Sequence, residues 1–295
     1  MTSVAVVAHN GKTLGGGLPE LRRLLTDRGV TDPLWYEVDK SKRASKRARR
    51  ACKEGADLVF VWGGDGMVQR CIDALAGTAT TIAILPAGTA NLLAANLGVP
   101  TDLKGAVDVG LHGARRVLDT GTVNGEHFAV MAGAGFDARM IRDAPRRVKD
   151  RLGRITYVWT AARNLGNARV GMQIKVDGRK WFDGKASCVL VGNVGKILAG
   201  IVAFDAAEPD DGVLDVGVVT ADGIWQWTRA LARTATGKAK RSPFVRTTVA
   251  RRIDVRLSRA IAYELDGGDR PPAKRLRIRV VPASVAIAVP AEATA

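Results

Sequence analysis

Apolar residues along the chain fall into two regimes. Up to about residue 120, short unbroken apolar runs alternate with stretches of helical period; beyond it, short strands and tight turns dominate. Residues 3–8 (SVAVVA), 57–62 (DLVFVW) and 81–86 (TIAILP) are apolar runs of strand length, and 32–38 (DPLWYEV) is a mixed one. Runs without polar alternation suit parallel strands covered on both faces. Between them, Leu21, Leu24 and Leu25 form a helix face that begins at Pro19 and closes at Gly29. Ala44, Ala48 and Ala51 keep a packing stripe on a helix over 40–53, and Val68, Cys71, Ile72 and Leu75 mark the next helix. A further helix after residue 86 is stopped by Gly98 and Pro100. This alternation predicts a mostly parallel sheet with helices on both faces. After Asp119 the pattern predicts strands at 127–131, 173–176, 186–191, 213–219, 252–257, 261–265, 275–281 and 284–289, with turns at Asp177-Gly178 and Asp183-Gly184. Helical stretches interrupt near 150–165 and 222–236. The predicted fold is α/β plus β: a mostly parallel α/β domain over 1–121 and a β-sandwich over 122–283.

Composition narrows the partners. The chain has 295 residues, enough for two domains, and a formal charge of +16. Such an excess implies an acidic partner: nucleic acid, an anionic membrane surface or phosphorylated ligands. Eight lysines and arginines lie in 40–53 and six in 142–154. No helix-turn-helix, zinc finger or stacking platform accompanies them, so nucleic acid is the weaker expectation. Cys52, Cys71 and Cys188 form no metal-ligand spacing and suit buried thiols in a reducing cytoplasm. No apolar run approaches the roughly 20 residues of a membrane span, and no signal peptide is expected. Any membrane contact is therefore expected to be peripheral.

In open parallel sheets, ligands bind beyond the carboxyl ends of the strands. Three candidate loops fall at strand ends. The first holds Gly11-Lys12-Thr13, which lacks the spacing of a P-loop because the required first glycine is Val6. The second is Gly63-Gly64-Asp65-Gly66, followed by Met67, Val68 and Gln69. Glycines let backbone approach a ligand and turn N–H groups toward phosphate, and the next helix adds its positive end. Positive potential then comes without a basic side chain, and Asp65 is free to organise a magnesium ion that travels with a nucleotide. The competing reading of Asp65 is an acid that merely complements the helix dipole. The third loop, Pro86-Ala87-Gly88-Thr89-Ala90-Asn91, repeats the theme at the next strand end, so a shared phosphate cradle is expected. Further on, Asp266-Gly267-Gly268-Asp269 places an acid at a strand end, where it is either a hairpin turn or, if the fold returns it to the cradle, a catalytic group. Gly133-Ala134-Gly135 and Ala138 fit a weak dinucleotide pattern without the βαβ unit it needs, and tight packing explains them better.

Gly63-Gly64-Asp65-Gly66, then Leu85-Pro86-Ala87-Gly88-Thr89-Ala90-Asn91, then Asp211-Gly212 and Asp266-Gly267, in this order, resemble the diacylglycerol kinase catalytic-domain family of soluble lipid kinases. The resemblance spans nearly the whole chain. It implies an N-terminal nucleotide-binding domain, a β-sandwich lipid-substrate domain, ATP in the cleft between them, and a terminal strand over 284–295 that returns to the first domain. It places Asn10, Lys12, Gly63, Gly64, Asp65, Gly66, Met67, Val68, Gln69, Gly88, Thr89 and Asn91 at the nucleotide. It gives Asp211 a structural magnesium shared with the carbonyls of Glu208 and Val213. It makes Asp266 the general base, leaves Asp269 as an acid able to assist or replace it, and has Asp65 organise the catalytic metal.

The chain departs from the family pattern at four places. Met67 and Leu92 stand where a threonine and an aspartate are usual, Val38-Asp39 replaces a frequent threonine, and Gly268 occupies the usual glutamate position with Asp269 one place late. The function expected is ATP- and Mg2+-dependent phosphorylation of a lipid hydroxyl, diacylglycerol first, by a cytoplasmic enzyme that binds an anionic membrane surface peripherally. The resembled family often forms homodimers. Two alternatives stay open: an NAD kinase-like enzyme in which Asp65 is itself the base, and a basic nucleic-acid-binding protein without catalysis.

Overall fold

The computed structural model describes residues 2–135, 169–198, 201–202, 204, 207–222, 226 and 242–291. The predicted helix over 150–165 and the basic segment 142–154 lie outside them, as does 222–236 apart from residues 222 and 226.

The N-terminal part alternates as its pattern predicts: β1 (Val4–His9), α1 (Gly17–Thr26), β2 (Leu34–Val38), a 3-10 turn at Ser41–Arg43, α2 (Ala44–Lys53), β3 (Leu58–Gly63), α3 (Asp65–Leu75), β4 (Thr81–Pro86), α4 (Leu92–Asn96) and α5 (Leu103–His112). Strands β3 and β4 are buried along their whole length, which is why their sequences carry no polar alternation. Helices α1 and α5 pack together, as do α2 and α3. The alanine stripe of α2 is fully buried, and so are Cys71, Ile72 and Leu75 of α3. Cys188 is buried as well, whereas Cys52 is only partly covered. Strands β4, β3, β1 and β2 lie side by side and parallel. The chain runs from β1 to β2 on one side and then to β3 on the other, so the order reverses between β1 and β3. That reversal opens a crevice at the carboxyl ends, where the loops after β1 and β3 emerge.

The rest is β-rich: β5 (Ala114–Val123), β6 (Glu126–Phe128), β7 (Met131–Ala134), β8 (Val170–Val176), β9 (Arg179–Ala186), β10 (Cys188–Gly192), β11 (Lys196–Leu198), β12 (Ile201–Val202), β13 (Leu214–Val219), β14 (Val245–Ala250), β15 (Arg252–Leu265) and β16 (Gly268–Val289). A second core, built around Phe128, Ile174, Val216, Val255, Leu265 and Leu276, is separate from the core of the α/β part. The two parts are joined by β16. Its first half pairs antiparallel with β15, and Ala286 and Ile287 pair parallel with Thr81 and Ile82 of β4. The sequence pattern reads this segment as two strands. The structure makes it one, with a register shift between Val281 and Val285 and a left-handed Ala283 (φ 47°) at the bend. Among the described residues no helix is long and apolar enough to cross a membrane.

Candidate active site

The crevice is walled by loops that follow β1, β3 and β4. Asn10 and Lys12 are exposed beyond the end of β1, and the Lys12 carbonyl accepts a hydrogen bond from the Trp62 indole at 3.0 Å. The loops after β3 and β4 are tied together: Gly63 and Pro86 are register partners, and the Ala87 N–H donates to the Gly63 carbonyl at 3.1 Å. Gly64 and Gly88 meet backbone to backbone. A Cβ on Gly88 would lie 2.3 Å from the Gly64 Cα. Only glycine fits there, which explains a glycine in both loops at that height.

Asn91 has a left-handed backbone (φ 48°) and turns its side chain back on its own loop. Its Oδ1 accepts from the Gly88 N–H at 2.9 Å, and its Nδ2 donates to the carbonyls of Pro86 and Gly88 at 2.9 and 3.0 Å. Thr89 is exposed beside it. Asp65 opens α3, and its Oδ1 accepts the Leu92 N–H at 2.5 Å, so this acid bridges the two glycine loops. Burial raises its pKa, against the pull of backbone N–H groups at Leu92, Asp65, Asn91 and Leu93. Met67, Val68 and Gln69 are buried, and the N–H groups of Met67 and Val68 donate to the Gly64 carbonyl. The Gln69 side chain turns to β6, donating to the His127 carbonyl at 2.7 Å.

Asp266 and Gly267 form the two-residue turn between β15 and β16, both with positive φ (47° and 76°), and Leu265 pairs with Gly268 across it. The turn points inward: Asp266 is 3% exposed. Its Oδ2 accepts the Ala129 N–H at 2.8 Å, and its Oδ1 accepts those of Val130 and Met131 at 2.9 and 2.8 Å. The strand expected over 127–131 is accordingly split into β6 and β7, because these three amides serve a carboxylate instead of a ladder. Burial pushes the Asp266 pKa up to about 6, the three amides hold it down, and the Asp65 charge adds to the rise. The fold thus brings two acids that lie 201 residues apart in sequence within electrostatic range of each other. Asp269 is exposed, outside the buried turn.

The turn carrying Asp211 lies apart from these groups in sequence and is held by an acid that no motif marks. Asp119 is buried; its carboxylate accepts the Gly212 N–H at 2.7 Å and the Ala283 N–H at 2.8 Å. Asp211 and Glu208 are both exposed, and Asp211 Oδ1 accepts the Val213 N–H at 3.0 Å. Among the described residues no group of three or more His, Cys, Asp or Glu side chains converges as a metal cage. Magnesium bound with a nucleotide needs only one or two carboxylates and keeps several waters, so Asp65 suits it as a donor. Asp211 offers one exposed carboxylate, so a magnesium there would need backbone carbonyls and water to complete its shell.

Paired glycine loops at adjacent parallel strand ends, tied together by one acid and accompanied by a second, buried one, suit the class of a phosphotransferase. Residues 7–123 match the diacylglycerol kinase catalytic domain, and residues 130–289 match the YegS C-terminal NAD kinase beta sandwich-like domain. The chain belongs to the diacylglycerol kinase catalytic-domain family and is a kinase of that lipid-kinase class. It is 28% identical over 232 residues to a diacylglycerol kinase of Bacillus subtilis, covering 76% of this chain and 75% of that one. A probable lipid kinase YegS-like of Enterobacter sp. is 27% identical over 290 residues, covering 95% and 94%. The fold also matches a solved structure of a putative diacylglycerol kinase from Bacillus anthracis, with TM-score 0.77, 24% identity and coverage of 97% and 95%. An NAD kinase from Archaeoglobus fulgidus in complex with ATP is a more distant fold match, with TM-score 0.53, 13% identity and coverage of 97% and 93%.

Proposed function

We propose that this protein transfers the γ-phosphoryl group of ATP to a lipid hydroxyl, diacylglycerol first among the acceptors, at an anionic membrane surface. The observation that carries the reading is the buried Asp266 carboxylate, held by three backbone amides, together with the two glycine loops that Asp65 ties to each other. The lipid oxygen attacks the γ-phosphorus as the bond to the β-phosphate oxygen breaks; Asp266 takes the hydroxyl proton, and ADP leaves. The glycine loops and the start of α3 hold the phosphates, and Lys12 supplies charge from the β1 side. Mg2+ neutralises phosphate charge when bound, with Asp65 its protein partner through water. Incubating the protein with ATP, Mg2+ and a panel of diacylglycerol, sphingoid base, ceramide and polyprenol, then weighing the products by mass spectrometry, tests the reading. Phosphorylated diacylglycerol is expected; no phosphorylated lipid from any acceptor contradicts it.

Asp65→Asn keeps an oxygen for the Leu92 N–H but removes the charge. A charge-assisted contact of about 1.5–3 kcal/mol predicts a roughly 10- to 100-fold weaker Mg·ATP affinity, partly recovered in excess magnesium. Titration of a fluorescent ATP analogue at two magnesium concentrations checks this.

The Asp211 and Asp119 sites should separate in melting experiments. Asp211→Ala is expected to lower the melting temperature only when magnesium is present. Asp119→Ala strands two partly buried N–H groups and should cost about 2–4 kcal/mol with or without the metal. Equal losses for both variants in both conditions count against a metal at Asp211.

The membrane reading rests on α2 and the turn before it. Arg43, Arg50 and Arg49 are paired with Asp39, Glu54 and Asp73. Exposed Lys40, Lys42, Lys46 and Lys53 have no acidic partner among the described residues. At roughly 1 kcal/mol each near an anionic surface, replacing all four by glutamine should weaken vesicle binding by roughly 100- to 1,000-fold. Co-sedimentation with phosphatidylglycerol vesicles at low and high salt measures it; binding indifferent to both lipid charge and salt contradicts it.

A further inference from the structure

We infer that Arg270, Glu126 and Gln69 form a clamp that fixes the Asp266 turn relative to the nucleotide-binding helix α3, and that they are positioning residues for phosphoryl transfer, a role that rests on the kinase reading above. Arg270 is 9% exposed, and its guanidinium uses all three nitrogens. Nε donates to Glu126 Oε2 at 2.7 Å and Nη2 to Glu126 Oε1 at 2.5 Å, a two-pronged ion pair. Nη2 also donates to Gln69 Oε1 at 3.1 Å. Nη1 donates to the carbonyls of Gly268 and Asp269 at 2.9 and 3.1 Å, which holds the chain just after the Asp266 turn.

The other side of the same turn is tied to α3 as well. Gln69 Nε2 donates to the His127 carbonyl at 2.7 Å, and Asp73 Oδ1 accepts the His127 N–H at 2.9 Å. Residues 69 and 73 are one turn apart on the helix, so a single face of α3 grips both backbone groups of His127. Two residues later the chain supplies the amides that hold the Asp266 carboxylate. Asp266 is thus reached from α3 by two routes, through Arg270 and through His127. Arg70 donates to Glu126 Oε1 at 2.6 Å, so one carboxylate serves two guanidinium groups. None of these side chains needs to touch lipid or ATP. They set the distance between Asp266 and the helix that opens with Asp65.

No sequence motif marks this clamp, because its members lie on α3, β6 and β16. Chemistry makes it specific. Lysine cannot reproduce the planar fork of Arg270, and glutamine at 126 keeps the shape but leaves two cations without their anion. Misplacement of a reacting group by about 1 Å costs up to about 100-fold in rate.

The test uses the full chain with Glu126→Gln, Arg270→Gln, Arg270→Lys and the double variant Glu126→Gln/Arg270→Gln. Each single change is expected to lower kcat by roughly 10- to 100-fold with little change in KM for ATP. The double variant should lose no more than the worse single one, because both changes break the same contact. Hydrogen exchange supplies a readout independent of the lipid acceptor: Mg·ATP should protect residues 264–270 in the wild type and not in the variants. Arg270→Lys, which keeps the charge, carries the test if the glutamine variants do not fold. Wild-type kinetics and ATP-dependent protection in the variants overturn the clamp alone. A fall in melting temperature with unchanged kcat also overturns it, leaving a structural ion pair. A wild-type protein that binds no ATP overturns the kinase reading and the clamp with it.

Discussion

Asp266→Asn is expected to lower turnover by about 10²–10⁴ while ATP still binds, because the lost group acts on the lipid hydroxyl alone. Two opposing effects bear on its fold. The asparagine Oδ1 can still accept two of the three amides that now bind the carboxylate, but its Nδ2 faces a third N–H. That mismatch costs about 1–3 kcal/mol. Against it, the variant carries no buried charge. Asp266 holds its proton more tightly in the folded chain than in the unfolded one, with its pKa raised to about 6. Its contribution to stability is therefore complete below the ordinary carboxylate range and is lost as pH rises through about 6. The size is on the order of 3 kcal/mol. Above that pH the variant avoids this loss, so its melting temperature should lie closest to that of the wild type at about pH 8 and fall behind as pH is lowered to about 5. Turnover of the wild type should run the other way, rising through pH 6 as the base ionises. A variant rate near that of the wild type at about pH 8 contradicts the assignment, and adding Asp269→Asn then shows whether the base has moved.

Gly88→Ala is expected to damage nucleotide binding as strongly as any change in the crevice. Its methyl would lie 2.3 Å from the Gly64 Cα and 2.5 Å from Asn91 Oδ1. Neither neighbour is the far end of a flexible chain: one is backbone, and the other is fixed by hydrogen bonds to its own loop. The loops must separate. Overpacking costs about 1–3 kcal/mol, and ATP affinity should fall by roughly 10- to 100-fold. Gly66→Ala is the control for fold, since a Cβ there meets nothing within 4 Å and its backbone is helical. Alanine in a helix gains about 0.5–1 kcal/mol over glycine, so the melting temperature should hold or rise. Calorimetry with ATP and thermal melts of both variants measure the pair; unchanged affinity in Gly88→Ala contradicts the shared cradle.

The sequence reveals the parallel strands because burial on both faces removes polar residues from them, as in 58–63 and 81–86. It reveals the glycine loops because close backbone approach leaves no alternative residue. Asp266 is visible as an acid at a strand end, but not the three amides that converge on it, since these come from a segment whose apolar pattern reads as uninterrupted strand. The single bent β16 is hidden for a related reason: its halves pair with different partners, β15 and β4, and pairing leaves no mark on local composition. Asp119 marks only a change of pattern in the sequence, while the structure shows it holding the Asp211 turn. Gln69 lies within an apolar stretch of α3, a signal that a buried polar partner exists, but its partner Arg270 is 201 residues away.

Phosphoryl transfer from ATP to a lipid, with Asp266 as base, is tested most directly by following the label. The wild type, Asp65→Asn and Asp266→Asn are incubated with γ-labelled ATP, Mg2+, diacylglycerol in anionic vesicles and NAD+, and the labelled products are separated. Labelled phospholipid and no labelled dinucleotide are expected from the wild type, with partial recovery of Asp65→Asn in excess magnesium and no such recovery for Asp266→Asn. Labelled dinucleotide as the sole product, abolished by Asp65→Asn and unaffected by Asp266→Asn, would contradict the assignment of both substrate and base.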